Sequence, residues 1–274
     1  NEDFVAWTWK AGGNKNTFNV DDVGHASASA AGITDGTIPL TGASVGTKQG
    51  FSILKYTGSG SNGTLAHGLS QAPDFFFGRD LEDTGGSRDW IIYHKSIGAT
   101  GRLKFTTGTT STSSTFFQDT SPTSSLITVG TSNDINSSND YILYCWHNVP
   151  GLQKFGSFEG NGIEDGPYIE LGFRPALIMF KNIDSGDTNF DWCIYDNARS
   201  TYNPNDKFLC PNLSKIENVR GDGNADNARY VDFLSNGFKV RNNSSPVNAS
   251  ETIIYAAWAE APSIGLYGSQ STAR

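Results

Sequence analysis

The chain has 274 residues, of which 36% are apolar and 18% charged, and a formal net charge of −8. That length accommodates one large domain or two ordinary ones with a core of useful size, and the low charge density excludes a coil held open by self-repulsion. A net-negative chain without a Lys/Arg cluster is a poor partner for nucleic acid or anionic lipid, and no apolar run reaches the roughly 18 residues that a membrane-spanning helix needs.

Asp3-Phe4-Val5-Ala6-Trp7-Thr8-Trp9 has the pattern of Asp140-Tyr141-Ile142-Leu143-Tyr144-Cys145-Trp146 and of Thr252 to Trp258. All three read as the closing strand of a unit. Residues 1–10 are then either the end of a preceding unit whose body lies outside this chain or a strand that pairs onto the first unit. Residues 11–49, with Gly12-Gly13, Gly24 and an Ala/Ser run from Ala26 to Ala31, read as a linker or an extended arm laid over a neighbour. From residue 51 the strand signals are dense: Phe51–Tyr56, Asp74–Arg79, Trp90–Tyr93, Arg102–Thr106, Leu126–Val129 and Tyr141–Trp146, most rich in β-branched and aromatic residues and separated by turn residues. Both faces of Trp90-Ile91-Ile92-Tyr93 are apolar, which predicts a strand covered on both sides. After the short join at Pro150-Gly151, a second series follows: Gln153–Phe158, Tyr168–Leu171, Ala176–Lys181, Trp192–Tyr195, Lys207–Cys210, Gly237–Arg241 and Thr252–Trp258.

The two series repeat one another. Asp89-Trp90-Ile91-Ile92-Tyr93 recurs as Asp191-Trp192-Cys193-Ile194-Tyr195, an offset of 102, and the same offset carries Tyr56 onto Phe158, Gly58 onto Gly160 and Gly60 onto Gly162. Lys104-Phe105 meets Lys207-Phe208 at 103 and Trp146 meets Trp258 at 112, so the second copy has about nine extra residues, assigned to a surface loop between Asn212 and Arg229. The expected architecture is all-β: two tandem β-sandwich, jelly-roll-like units at 51–150 and 151–261, preceded by the arm and followed by a tail at 262–274. Trp90, Trp146, Trp192 and Trp258 are structural on this reading. So are Cys145 and Cys193, whose repeat partners are Ala257 and Ile91, positions that want a small apolar filler.

Chemistry is thin. The three cysteines form neither a disulfide framework nor a C-x-x-C site, which fits synthesis in a reducing compartment, and the four histidines are scattered without metal-ligand spacing. Asp222, Asn224 and Asp226 alternate oxygen ligands like the start of a calcium loop but lack its glycine and closing glutamate. Glu159, Glu164, Asp165 and Glu170 make an acidic stretch without a counterpart in the first unit. No phosphate loop, nucleophile elbow or H-E-x-x-H motif is present, so no catalytic residue, metal or cofactor is assigned. Tyr202 and Tyr230 are the best candidates for exposed rings that could stack on a sugar.

Phe4 to Gly13, Asp89 to Thr100, Lys154 to Gly162, Gly172 to Ala176 and Asp232 to Lys239 are together similar to a repeat domain of unknown function found in large, tail-fibre-like virion proteins of marine and other aquatic bacteriophages. The similarity covers nearly the whole chain, and the ending Gly265 to Arg274 looks like the natural tail of such proteins. The resemblance implies a non-enzymatic virion component assembled in the host bacterial cytoplasm, with other virion proteins and a host surface glycan as partners. An arm ordered along its length needs a surface to lie on, so residues 11–49 are expected to contact a second unit or a second chain in a homo-oligomer, by analogy with phage fibres a trimer. A carbohydrate-binding module and a polysaccharide-degrading enzyme are the alternatives.

Overall fold

The computed structural model describes residues 5–86, 88–106, 108–185, 190–218, 229–243, 245–260, 263–264 and 270–271, the backbone alone at 245 and from 263 onward. The described residues are nearly all strand and turn, the all-β class read from the sequence. They divide into two compact units, one built on Trp7–Phe105 and Thr110–Asn148, the other chiefly on Val149–Arg274.

The first unit contains β1 (Phe18–Val20), β2 (Val23–His25), β3 (Leu40–Gly46), β4 (Phe51–Thr57), β5 (Gly63–Ala66), β6 (Phe75–Asp80), β7 (Ile91–His94), β8 (Gly101–Lys104), β9 (Ser111–Thr112), the single-turn helix α1 (Ser114–Phe117), β10 (Leu126–Val129) and β11 (Asp140–Trp146). Nine of the strands form one sheet in the order β2-β1-β3-β4-β11-β6-β7-β8-β9, and β5 and β10 form a separate pair. Alternation sorts the side chains. Leu54, Tyr56, Phe76, Ile91, Tyr93, Leu143 and Cys145 turn to one face, where they pack with Leu65, Ile127 and Val129 of the small pair and with Phe116 and Phe117 of α1. The opposite face carries Phe51, Phe75, Phe77, Trp90, Tyr144 and Trp146 in a run of ring contacts, such as Phe51 stacked on Trp146 at 4.6 Å and Phe77 tilted against Trp146 at 5.2 Å. All four residues of β7 are buried, as expected of a strand apolar on both faces.

Residues 11–49 are not an arm. They supply β1, β2 and β3 to the large sheet, β3 pairing antiparallel with β4 and parallel with β1, and they add Ile33, Ile38, Leu40, Ala43 and Val45 to the core. Leu40-Thr-Gly-Ala-Ser-Val-Gly lacks the large β-branched and aromatic residues that announce a strand, yet a strand backed by β4 needs only its backbone bonds and a few small inward side chains. Residues 5–10, by contrast, hold no strand. The closing position between β4 and β6 is filled by β11. Residues 1–4 lie outside the described residues.

The second unit contains β12 (Gln153–Glu159), β13 (Tyr168–Glu170), β14 (Pro175–Asn182), β15 (Cys193–Asp196), β16 (Phe208–Leu209), β17 (Val231–Leu234), β18 (Gly237–Val240), the turn of helix α2 (Ser245–Asn248) and β19 (Thr252–Ala259), with a further short pair β20 (Ser263–Ile264) and β21 (Gln270–Ser271). Its main sheet runs β12-β19-β14-β15-β16, and β13-β18-β17 form a second sheet. Phe180, Tyr195 and Tyr255 of the first pack with Phe233 and Phe238 of the second, Phe180 meeting Phe238 edge-on at 5.2 Å.

The order β12-β19-β14-β15-β16 is that of β4-β11-β6-β7-β8, and the registers agree. Trp146 lies opposite Phe51 and Phe75, and Trp258 lies opposite Gln153 and Leu177. A polar detail repeats as well. Asn136, fully buried, donates from Nδ2 to the carbonyls of Ser61 and Gly130, both at 2.6 Å, and accepts at Oδ1 from Ser59 N at 2.7 Å. Asn248, also fully buried, donates to the carbonyls of Ile163 at 2.7 Å and Asn242 at 2.6 Å and accepts from Asn161 N at 3.0 Å. Gly58 N bonds Asn139 O at 2.9 Å, and Gly160 N bonds Glu251 O at 3.0 Å. A Cβ on Gly58 would strike the Ser137 carbonyl, and one on Gly160 the Ala249 carbonyl. Each position in the first staple finds its counterpart 102 or 112 residues later. Buried amides and carbonyls must be paired, so one asparagine serving three backbone groups of two loops fixes both loops at once.

Candidate functional site

The side chains singled out in the sequence do not converge on one place. Tyr202 stands 85% exposed in the loop after β15, while Tyr230 is half-buried just before β17, and its carbonyl accepts from Arg241 N. Asn205 bridges to Val231 between them, so the two rings sit towards opposite ends of that pairing. The calcium-loop residues Asp222, Asn224 and Asp226 lie outside the described residues. Among the described residues no three His, Cys, Asp or Glu side chains come together as a metal site requires.

Trp146 and Trp192 are each 2% exposed and Trp258 is buried. Trp90 is half-buried instead, its ring 5.5 Å from Phe77 and 5.8 Å from the Arg79 guanidinium carbon. Both Trp90 and Trp192 directly precede the fourth strand of the common order, β7 and β15, the equivalent place in each unit.

In the acidic stretch, Asp165 is tied to the neighbouring strand β18 and the residue beyond it. Asp165 takes an ion pair from Lys239 at 2.9 Å and a second from Arg241 at 3.5 Å. The Lys239 contact holds its carboxyl below the usual range, the opposite of what a general acid needs. Three histidines serve local backbone. His67, buried, accepts from Leu69 N at Nδ1 and faces the Thr123 carbonyl with Nε2 at 3.2 Å. Burial pushes its pKa down to about 4, so the ring is neutral. His94 Nδ1 accepts from Ser96 N, and His147 Nδ1 lies 2.8 Å from the Asn148 carbonyl.

Two adjoining clefts of the first unit, of about 210 and 160 Å³, share Ile33 and Ala66 in their walls. Small-molecule sites usually enclose about 300–1,000 Å³ around a few converging polar groups. These clefts are smaller, and the larger is walled mainly by Ile33, Ile38, Pro39 and Leu40.

The densest chemistry is in the core of the second unit, and only part of it was foreseen. Cys193 opens β15 and is fully buried, as is Cys145 in the first unit, and no cysteine is in a disulfide. The β15–β16 pairing sets Ile194 opposite Leu209 and Tyr195 opposite Phe208, so the next position sets Cys193 opposite Cys210. The two thiols are hydrogen-bonded to one another. Arg229, 1% exposed, brings Nη1 to 3.2 Å from Cys193 Sγ and lays its guanidinium carbon 4.7 Å from the Phe208 ring. The hydrogen bond from Cys210, then the Arg229 charge and its N–H, draw the Cys193 pKa below the ordinary thiol value against the effect of burial. Close by, the fully buried Lys181 donates to the carbonyls of Asn182 at 2.7 Å and Phe190 at 2.9 Å, and burial lowers its pKa to about 8. Asp191, also fully buried, accepts from Asn212 Nδ2 at 2.7 Å. Reading Cys193 only as the counterpart of Ile91 missed Cys210 and Arg229. The signal for Cys210 was present, since pairing 192–195 with 207–210 as a hairpin sets the two cysteines face to face.

The fold and these sites define an all-β protein of two sandwich units whose aromatic and polar side chains are largely spent on packing. A family model described as a domain of unknown function, DUF7483, matches residues 1–262, and the chain belongs to that family. No curated protein and no solved structure matches it.

Proposed function

We infer that the protein is a non-enzymatic structural component of a bacteriophage virion, part of a tail fibre or related external appendage that contacts the host surface, and that its two units are tandem copies of one module. The observation that carries this reading is the recurrence of strand order, register and asparagine staple at constant offsets. Repetition of a self-contained sandwich extends a polypeptide without new folding problems, which is what an appendage requires. The resemblance of the quoted sequence blocks to tail-fibre-like proteins supports a virion location, and the −8 net charge fits a surface that avoids nucleic acid. Assembly as a homo-oligomer, with a trimer favoured, belongs to the same reading. Mass spectrometry and immunogold labelling of purified particles test it. The protein is expected in particles at fixed stoichiometry, and its absence from them overturns the assignment.

A carbohydrate-binding role is the second reading, favoured by the 85% exposure of Tyr202. Here Tyr202→Ala leaves the fold intact, since the ring buries little surface, and abolishes any glycan-array signal of the wild type. Signal retained in the variant removes Tyr202 from the contact. Release of reducing sugar from a bound glycan would instead favour the degradative alternative.

A further inference from the structure

We propose that Cys193 and Cys210 form an oxidation site, at which a small peroxide oxidises the Cys193 sulfur and Cys210 then closes a cross-strand disulfide. This goes beyond the structural role above and does not depend on it. Directly opposed residues of an antiparallel pair have Cα atoms about 4.5–5.5 Å apart, inside the roughly 4.4–6.8 Å that a disulfide spans. Cys193 and Cys210 extend the recorded β15–β16 register by one position, both belong to the same core cluster, and their thiols are joined by a hydrogen bond. Bond formation therefore needs little backbone movement.

The surroundings prepare one sulfur over the other. Arg229 and Lys181 bring two buried basic groups to this end of the core, and Asp191 is the buried carboxylate beside them. A thiolate at Cys193 completes the balance of two positive and two negative groups, and Arg229 Nη1 at 3.2 Å is placed to hold it. The pKa of Cys210 is raised, first by its hydrogen bond with Cys193 and then by burial.

The chemistry balances with a peroxide as the sole oxidant. The Cys193 thiolate attacks one oxygen of hydrogen peroxide, the O–O bond breaks, and hydroxide leaves, giving Cys193 sulfenic acid. The Cys210 sulfur then displaces hydroxide from the Cys193 sulfur, and its proton goes to that hydroxide as water. Two thiols lose two electrons in all, and one peroxide becomes two waters. Peroxide is scarcely larger than water, which suits a site where Cys193 is 0% and Cys210 7% exposed. Cys145 is the internal control. It is fully buried in the other unit, and burial raises its pKa well above the ordinary thiol value.

The test treats the full-length native chain with hydrogen peroxide, then denatures it in the presence of an alkylating reagent and weighs it. The expected result is a fall from three alkylatable thiols to one, with a linked peptide joining Cys193 to Cys210 and Cys145 alkylated. Three thiols remaining, or a link that includes Cys145, overturns the proposal. In Cys210→Ser, dimedone is expected to trap a sulfenic acid on Cys193, whereas Cys193→Ser leaves Cys210 unlabelled. Labelling of Cys210 and not Cys193 overturns the assigned order of steps. Circular dichroism of the oxidised wild type, expected to match the reduced protein, keeps the result tied to the folded state. Loss of native signal before the link appears overturns it as a property of the fold.

Discussion

Replacing Asn136 with alanine removes one side chain that satisfies three backbone groups. The Ser59 N–H loses its acceptor at 2.7 Å, and the Ser61 and Gly130 carbonyls lose donors at 2.6 Å. At about 1 kcal/mol for each net bond, rising to about 1–3 for a buried group left without a partner, the cost is about 3–5 kcal/mol. Against the roughly 5–15 kcal/mol that holds a domain together, this is a large fraction, equivalent to a melting-point drop on the order of 10 °C for a unit of this size. Asn136→Asp sharpens the test. It keeps Oδ1 as acceptor but turns the donating NH₂ into an oxygen facing two carbonyl oxygens, so at neutral pH it should cost at least as much as alanine. Asn248→Ala, with donor distances of 2.7 and 2.6 Å and an acceptor distance of 3.0 Å, should cost about the same in the second unit. Urea unfolding read by hydrogen-exchange mass spectrometry reports peptides of each unit separately. A loss below about 1 kcal/mol for either alanine variant, or an aspartate variant as stable as wild type, would show that the staple does not hold these loops.

Gly58→Ala drives a methyl into the Ser137 carbonyl and should destabilise by several-fold more than Gly60→Ala. At Gly60 φ is +68° but no atom lies within 4 Å, and the left-handed backbone alone costs about 1–2 kcal/mol; equal melting points for the two variants would contradict this. His67 gives a pH signature. Its folded pKa of about 4 lies below the ordinary histidine value of 6.5, so the unfolded chain binds the extra proton between these values, and stability is full above pH 6.5 and falls as pH drops towards 4. Between pH 7 and pH 5 this group should remove about 2 kcal/mol, and His67→Gln should lose that component of the slope; identical pH profiles in chemical denaturation would exclude it.

Much of the main sheet was legible because its strands carry their pattern in large side chains. Trp146 and Trp258, offset by 112, lie at corresponding register positions in the two sheets, each closing a strand dense in apolar and aromatic residues. Residues 11–49 were opaque for the complementary reason. In β3 the inward residues Ala43 and Val45 are small, and the strand is held by its ladder to β4, a long-range pairing that no local window contains. The staple was half visible. Gly58, Gly60, Gly160 and Gly162 stood out at the 102 offset, but Asn136 and Asn248 fall among many asparagines, and what distinguishes them is burial. Arg229 had no signal, since a basic residue at the edge of an insertion ordinarily faces water.

What the two units share and where they differ follow one physical rule. A staple of three short hydrogen bonds accepts no other side chain, because alanine leaves groups unpaired and aspartate opposes like charges, so asparagine persists at 136 and 248. An inward sheet position asks only for suitable volume, so it can change its chemistry. At the start of β7, the first unit pairs Ile91 with Lys104, whose Nζ reaches Asp89 at 2.7 Å and Asp134 at 3.4 Å. The second unit opens the same strand with Cys193, facing Cys210 and Arg229. If the units are copies, the framework has been kept where its backbone groups had no alternative, and new chemistry has entered where the core tolerated it. The oxidation site is then a property of the second unit alone. Converting Cys193 to the isoleucine of the first unit should abolish the disulfide at the cost of fitting two extra aliphatic carbons beside a buried guanidinium, about 1–3 kcal/mol of overpacking by chemical denaturation. An unfolded variant would mean that the sulfur–guanidinium contact is itself indispensable to the second core, and that the two units no longer share interchangeable fillers.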